Sequence, residues 1–249
     1  MDSVTELEQR CADAWPALVD EPLGQWRLRA ADGFTGRANS ALTTGDPGVP
    51  VAEALDRVIT FAAAHGIKPA AHVVVGSGSE AGVEAAGWRV DHDHPGGASS
   101  YVLTGVLSEF ACPKSEGVAV QASPSPEWWN LTAQDNPTAA QRHVLGSGDV
   151  VGFGEVRRGG EVVAAVRGAV VGDLLHIARL AVAAPARRSG LARALMGALA
   201  AWGLERGATR CALQVAEHNE PALRLYASLG CTEHHRYQYW IPPRATEPA

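Results

Sequence analysis

Two short segments hold residue types whose spacing could do chemistry. The first runs Val182-Ala183-Ala184-Pro185-Ala186-Arg187-Arg188-Ser189-Gly190-Leu191-Ala192-Arg193-Ala194. An apolar run ends there and a helical pattern begins. The first turn of a helix leaves backbone N–H groups without partners, and these, with the helix dipole, favour an anion. Gly190 lets the backbone approach a phosphate, Ala192 is the next smallest choice, and Arg187, Arg188 and Arg193 supply local positive charge. A solvent-exposed strand-to-helix turn would read the same way. The second segment places Asn219 at a helix start and Tyr226 seven residues on, so both share one face. A tyrosine facing the anion site could donate a proton; a structural cap and a half-buried tyrosine are the plainer alternative.

Mixed elements must position these residues. Val118 to Gln121 reads as a strand, and Pro126 to Leu145 as one or two helices broken near Asn136-Pro137. Val150 to Arg157 and Glu161 to Val171 flank Arg158-Gly159-Gly160, a hairpin signal. Asp173 to Val182 is a strand. Leu191 to Glu205 is a helix with Leu191, Leu195, Leu199 and Trp202 on one face. Arg210 to Val215 is a strand, Asn219 to Leu229 a helix stopped by Gly230, and His235 to Trp240 a last strand. Upstream, Val51 to His65, His72 to Val75 and Ser79 to Ala86 give helix, strand, helix. This is either an internal repeat or the common order of α/β chains. Cys112 to Gly117, with its proline and charges, predicts a linker between units 1–112 and 117–249.

Bulk properties exclude several classes. The 249 residues are 46% hydrophobic and 19% charged, ordinary for a globular protein. A net charge of −6 argues against broad nucleic-acid binding but not against a small anion. The four cysteines, Cys11, Cys112, Cys211 and Cys231, form no metal-binding pattern, so no metal is expected. Scattered cysteines, a polar acidic start and no apolar run of about 20 residues predict a cytoplasmic protein without a membrane partner.

Taken together, the two segments resemble the GNAT superfamily of N-acetyltransferases. Its loop pattern Arg/Gln-x-x-Gly-x-Gly/Ala stands here as Arg187, Gly190 and Ala192, after Leu180-Ala181-Val182. Its later pattern Asn-x-x-Ala-x-x-Leu-Tyr-x-x-x-Gly stands as Asn219, Ala222, Leu225, Tyr226 and Gly230. The resemblance covers about Gly117 to Trp240. Three departures are the displaced Pro185, Ala192 in place of the last glycine, and Cys231 in place of an aromatic residue.

The resemblance implies an α/β (α+β) fold with a mixed central sheet flanked by helices, and a smaller GNAT-like N-terminal unit. It implies that Leu180 and Val182 pair with the pantetheine of acetyl-CoA through their backbones. The amides from Arg188 through Ser189, Gly190, Leu191 and Ala192 to Arg193 would hold the pyrophosphate. Asn219 would touch the pantetheine or the thioester side, and Tyr226 would be the general acid. The acceptor would be a small-molecule or peptide amine. Glu155, His176 and Glu217 are candidates for general base, and a water chain serves equally. His176 enters for its ordinary pKa range. A non-catalytic acyl-CoA sensor is the alternative function, and homodimerisation stays open.

The first unit carries Thr43-Thr44-Gly45-Asp46-Pro47-Gly48-Val49-Pro50 where a phosphate loop would stand. Asp46 repels phosphate and the prolines lack N–H donors, so coenzyme A is expected only in the second half. Gly33 to Ser40 could be a strand placing Thr35, Arg37 and Asn39 on one face, either an acceptor-binding face or a plain exposed strand. His234, His235, Tyr237 and Tyr239 could line an acceptor pocket or fill a core.

Overall fold

The computed structural model describes residues 2–110 and 117–243. The chain opens with helix α1 (Val4–Asp13) and a hairpin of β1 (Val19–Leu23) and β2 (Trp26–Ala30). A 3-10 turn (Gly36–Ala38) leads to β3 (Ala41–Leu42), α2 (Val51–Ala64), β4 (Ala71–Val74), α3 (Gly78–Ala85), β5 (Arg89–Val90) and β6 (Ser99–Val106). The second half runs β7 (Val118–Gln121), α4 (Pro126–Thr132), α5 (Ala139–Gly146), β8 (Val151–Arg158), β9 (Glu161–Val171) and β10 (Leu174–Val182). It continues through α6 (Leu191–Leu204), β11 (Arg210–Ala216), α7 (Glu220–Ala227) and β12 (Thr232–Ile241). Most of the predicted linker falls on residues 111–116, outside the described residues.

Local chemistry accounts for many of these elements. Ser3 and Glu6 form a capping box at α1, and Thr138 and Gln141 form another at α5, so the stretch from Pro126 is two helices. Gly159 and Gly160 both take positive φ, as a two-residue hairpin turn requires. The expected strand from Gly33 to Ser40 does not form. Asn39 turns inward instead, accepting from the N–H groups of Ala31 and Gly33 and donating to the carbonyls of Phe34 and Thr35. An asparagine that can satisfy four backbone groups favours a compact loop over a ladder.

All strands join one sheet in the order β1-β2-β3-β4-β12-β6-β11-β10-β9-β8-β7, with β5 against β12. Each half contains a parallel pair joined through a helix, β3–α2–β4 and β10–α6–β11. The repeat suggested by helix and strand order is therefore visible in the topology. The last strands cross between halves. β6 pairs with β11 over Ser100–Val106 and with β12 on its other edge. The distal part of β12 pairs in turn with β4 and β5.

One apolar core lies between the sheet and α6 and α7, with Ile177, Leu195, Leu199, Leu213 and Tyr226. A second sits around Leu55, Val58 and Trp88 of the first half, and a third around Trp15, Trp128 and Phe153 on the opposite face of the sheet. α1 lies across the joint, placing Leu7 and Cys11 against Val102, Leu174, Ala212, Tyr237 and Tyr239. Its Glu8 is buried, 2.7 Å from His235 Nε2 on β12 and 3.3 Å from His72 Nε2 on β4. No helix among the described residues is long and apolar enough to cross a membrane.

Candidate active site

The parallel strands β10 and β11 pair only from Leu174/Arg210 to Ile177/Leu213. Beyond that point β11 stays with β6, whereas β10 follows β9 through a register shift between Ala178 and Ala181. Arg179, inside the shift, has φ +58. The two strands part there and leave an unpaired edge on β10. The Ala183 N–H donates to Val163 O, toward β9. Because strand N–H groups alternate in direction, those of Val182 and Leu180 point the other way, into the gap. The backbone groups expected to meet a pantetheine arm therefore face an open edge.

At the end of this edge the chain makes a 3-10 turn over Ala184–Ala186 and enters α6 at Gly190, whose φ is +79. Arg188 also takes positive φ, +62, which is costly for a residue with a Cβ. Ser189 Oγ donates to Ala186 O at 2.6 Å, closing the turn. Nothing would meet a Cβ at Gly190, so its role is conformational. The amides of Leu191, Ala192 and Arg193 open the helix, and no acid lies in its first turn. Arg187 Nε donates to Val182 O at 3.1 Å, while Arg193 reaches back to Ser228 at the end of α7. Apolar strand edge, tight turn and bare helix start suit a thiol-ended chain with phosphates at its far end.

Asn219 caps α7, its Oδ1 accepting from Ala222 N–H at 3.3 Å. Tyr226 is 7% exposed and shares an apolar core with Leu191, against which Leu180 and Val182 pack. Burial, and then Cys231 and Cys211, push its phenol up to about 12. It stays a neutral hydrogen-bond donor at any working pH.

The three candidate bases occupy different places. Glu155 is on β8, two strands from β10, and accepts from Ser125 Oγ at 2.7 Å and Arg157 Nε at 2.8 Å. It ties the α4 cap to the sheet. His176 is fully buried beneath the loop of the first half, its Nε2 2.9 Å from Gln214 Oε1. Burial, and then Arg37, lower it to about 3. The ordinary histidine range expected from sequence does not apply, because enclosure beside a guanidinium disfavours the charged form. Glu217 is exposed just past β11.

A cavity of about 900 Å³ adjoins the gap, lined by Gln214 and Ala216 of β11 and by Tyr237 and Tyr239 of β12. The first half closes it with Arg37, Asn39, Lys68 and His94, which stacks on Tyr239 at 4.1 Å. Gly36 is required here, since a Cβ would lie 2.6 Å from the Tyr239 ring. Sequence reasoning offered Arg37, Tyr237 and Tyr239 either as acceptor-pocket residues or as an exposed strand and ordinary core, and all three line this cavity. It missed Gln214 and His94, for which no local pattern gives a signal. His235 instead faces Glu8 and a second cavity of about 580 Å³ beside the Thr43–Gly45 loop. Asp46 Oδ1 in that loop accepts from Gly48 N–H at 2.8 Å, so the loop satisfies its own donor.

A parallel pair joined through a helix and repeated within one sheet, with the second pair splaying over a tight loop and helix start, is the pattern of a tandem GNAT fold. The chain is similar to a GCN5-related N-acetyltransferase from Kribbella flavida, with a TM-score of 0.72, 17% identity and coverage of 98% of this chain and 97% of that one. It is also similar to a tandem GNAT protein from the clavulanic acid biosynthesis pathway, with a TM-score of 0.65, 15% identity and coverage of 97% and 89%. At these identities the likeness concerns the fold. The uncharacterized N-acetyltransferase YobR of Bacillus subtilis (strain 168) is 44% identical over 46 residues, 18% of this chain and 19% of that protein's length. A family described as "Probable histone acetyltransferase Rv0428c C-terminal" matches residues 2–240. The chain belongs to that family and has the fold of the GNAT N-acetyltransferases.

Proposed function

We propose that the chain transfers the acetyl group of acetyl-CoA to a primary amine. The observation that carries this reading is the unpaired edge of β10, which runs into the open N-terminus of α6. Leu180 and Val182 bind the pantetheine, and the amides from Arg188 to Arg193 bind the pyrophosphate, with Asn219 alongside. The amine enters from the large cavity as a free base and attacks the thioester carbonyl. The N–H of Leu180 or Val182 stabilises the oxyanion. The C–S bond then breaks, the proton lost by the amine passes to solvent, and the thiolate leaves beside Tyr226.

The raised phenol pKa shapes the last step. A coenzyme A thiol has a pKa near 8.5, so full transfer from a phenol at about 12 is uphill by about 5 kcal/mol. Tyr226 therefore serves as a hydrogen-bond donor to the departing sulfur, and the thiolate takes its proton from water afterwards. Tyr226→Phe is expected to lower kcat about 10- to 100-fold with coenzyme A binding unchanged, read by thiol release with acetyl-CoA and an amine panel. Undiminished turnover in that variant would remove Tyr226 from the mechanism.

The first half keeps the topology of the site but fills its loop with Asp46 and prolines. Calorimetry should return one coenzyme A per chain, and Arg188→Glu should weaken binding about tenfold or more. Binding unaffected by charge reversal would mean the α6 loop is not the phosphate site.

A further inference from the structure

Deepening the acetyl-transfer reading, on which it rests, we infer that the acceptor is an α-amino acid whose carboxylate is held by Arg37.

Arg37 comes from the first half and is the exception among three neighbouring arginines. Arg167 is fully buried, and its guanidinium donates to the carbonyls of Ala14, Leu145 and Ser147, at the ends of α1 and α5. Arg179 donates to Thr132 O at the end of α4. Both rest on helix C-termini, whose carbonyls carry partial negative charge. Among the described residues Arg37 has no such carbonyl. No carboxylate of the described residues lies within ion-pair reach of any of the three. Among the described residues only Nη1 of Arg37 is engaged, donating to Gln214 Oε1.

The geometry around Arg37 is rigid. The guanidinium lies over the Trp15 ring at 4.3 Å, which fixes its plane. Gln214 Oε1 holds one end and is itself held by His176, which burial keeps neutral and able to donate. Arg37 lines the large cavity, so its remaining donors are available there. A planar, pre-oriented guanidinium with free donors is matched by a planar anion that accepts two parallel hydrogen bonds. The loop presenting it is strained, with Asp32 at φ +47 and Thr35 at φ +62. Such backbone persists where the surroundings enforce it, and it gathers at ligand sites.

Position decides which anion this is. Gln214 is the first residue of β11 past the last paired position, Leu213, so Arg37 stands where the strands part. The reacting carbonyl belongs at that level. The pyrophosphate loop lies beyond Val182, five residues and about 16 Å along β10, too far for coenzyme A phosphates to satisfy Arg37. An anion at Arg37 therefore sits within a few atoms of the attacking nitrogen, as the carboxylate of an α-amino acid does. Asp32, Asp91 and Asp93 also line the cavity, none of them in ion-pair contact with Arg37, and suit a polar or cationic remainder of the acceptor.

The test uses the common α-amino acids, each with its amide and its decarboxylated amine, on the full chain. Thiol release from acetyl-CoA gives kcat/KM, and calorimetry on coenzyme A-saturated protein gives binding without turnover. At least one free amino acid should exceed its amide about tenfold or more in kcat/KM. Arg37→Gln should abolish that preference, and Arg37→Lys should keep part of it, which keeps the result readable if the glutamine variant folds poorly. Amides or decarboxylated amines used as well as the acids would overturn the carboxylate assignment while leaving acetyl transfer intact. If no probe releases thiol, the acetyl-transfer reading fails for these amines, and calorimetry decides the rest. An acid bound in preference to its amide supports the Arg37 assignment, and no acid bound overturns it.

Discussion

Residues 117–249 produced alone are expected to be insoluble or unfolded, although they contain both motifs of the acetyltransferase. The reason is β6. It lies between β11 and β12, pairing with β11 from Ser100/Ala216 to Val106/Arg210 and with β12 on its other edge. Without it, both strands expose unpaired backbone and the apolar surface now covered by buried Val102 and Leu103. Domains keep only about 5–15 kcal/mol of net stability, and losing a central strand exceeds that margin. The measurement is far-UV circular dichroism and size-exclusion chromatography of the fragment. Appending residues 98–106 through a short linker after Ile241 restores an antiparallel partner for β12 and should recover soluble, folded protein. A fragment that folds cooperatively as a monomer without β6 would show that the strand is dispensable.

Glu8→Ala is expected to cost about 2–4 kcal/mol, the scale for losing hydrogen bonds to a buried charged group together with its packing. At this chain length that lowers Tm by about 10 °C, measured by calorimetry or urea unfolding. Burial alone would raise the Glu8 carboxyl. His72 and His235 outweigh that effect and hold it below the usual carboxylate range. Glu8 joins α1 to β12 and β4, so its loss loosens the contact between the helix and both halves. A Tm within 1 °C of the parent would mean the cluster contributes little.

The same site sets an acid sensitivity with a defined sign. Glu8, with a depressed folded pKa, stabilises above the unfolded value of about 4.3 and loses that contribution as pH falls. His72 and His176 are also depressed, by burial first. The unfolded chain protonates them first, so their contribution is complete above about pH 6.5 and declines below it. For His176 the decline continues to about pH 3. At about 1.4 kcal/mol per pH unit per group, His176 alone accounts for about 2 kcal/mol between pH 6.5 and pH 5. Urea unfolding at pH 7.5 and pH 5 should show at least that loss, and flat stability across the interval would contradict it.

The split between legible and hidden features follows the range of the interactions. The turn into α6, the Asn219 cap, the Gly159-Gly160 hairpin and the helices from Val51 and Leu191 are set by neighbours a few residues apart. They stand within a residue or two of their expected places. The segment from Ser99 to Val106 carries no turn or period strong enough to mark it, and its pairing lies more than 100 residues away. Gly33 to Ser40 misled because alternating polar residues resemble a strand until Asn39 finds its four backbone partners.

By itself, then, the sequence determined a chain with a glycine turn into a helix and a capped tyrosine helix at GNAT spacing, because caps, glycine turns and helical periods are local. Only the tertiary structure decided that the halves share their last strands, since strand pairing is chosen by register across the whole chain. It also decided that Tyr226 is a weaker acid and His176 a weaker base than their types suggest, because burial sets both. It brought Arg37 of one half to Gln214 of the other at the point where β10 and β11 part.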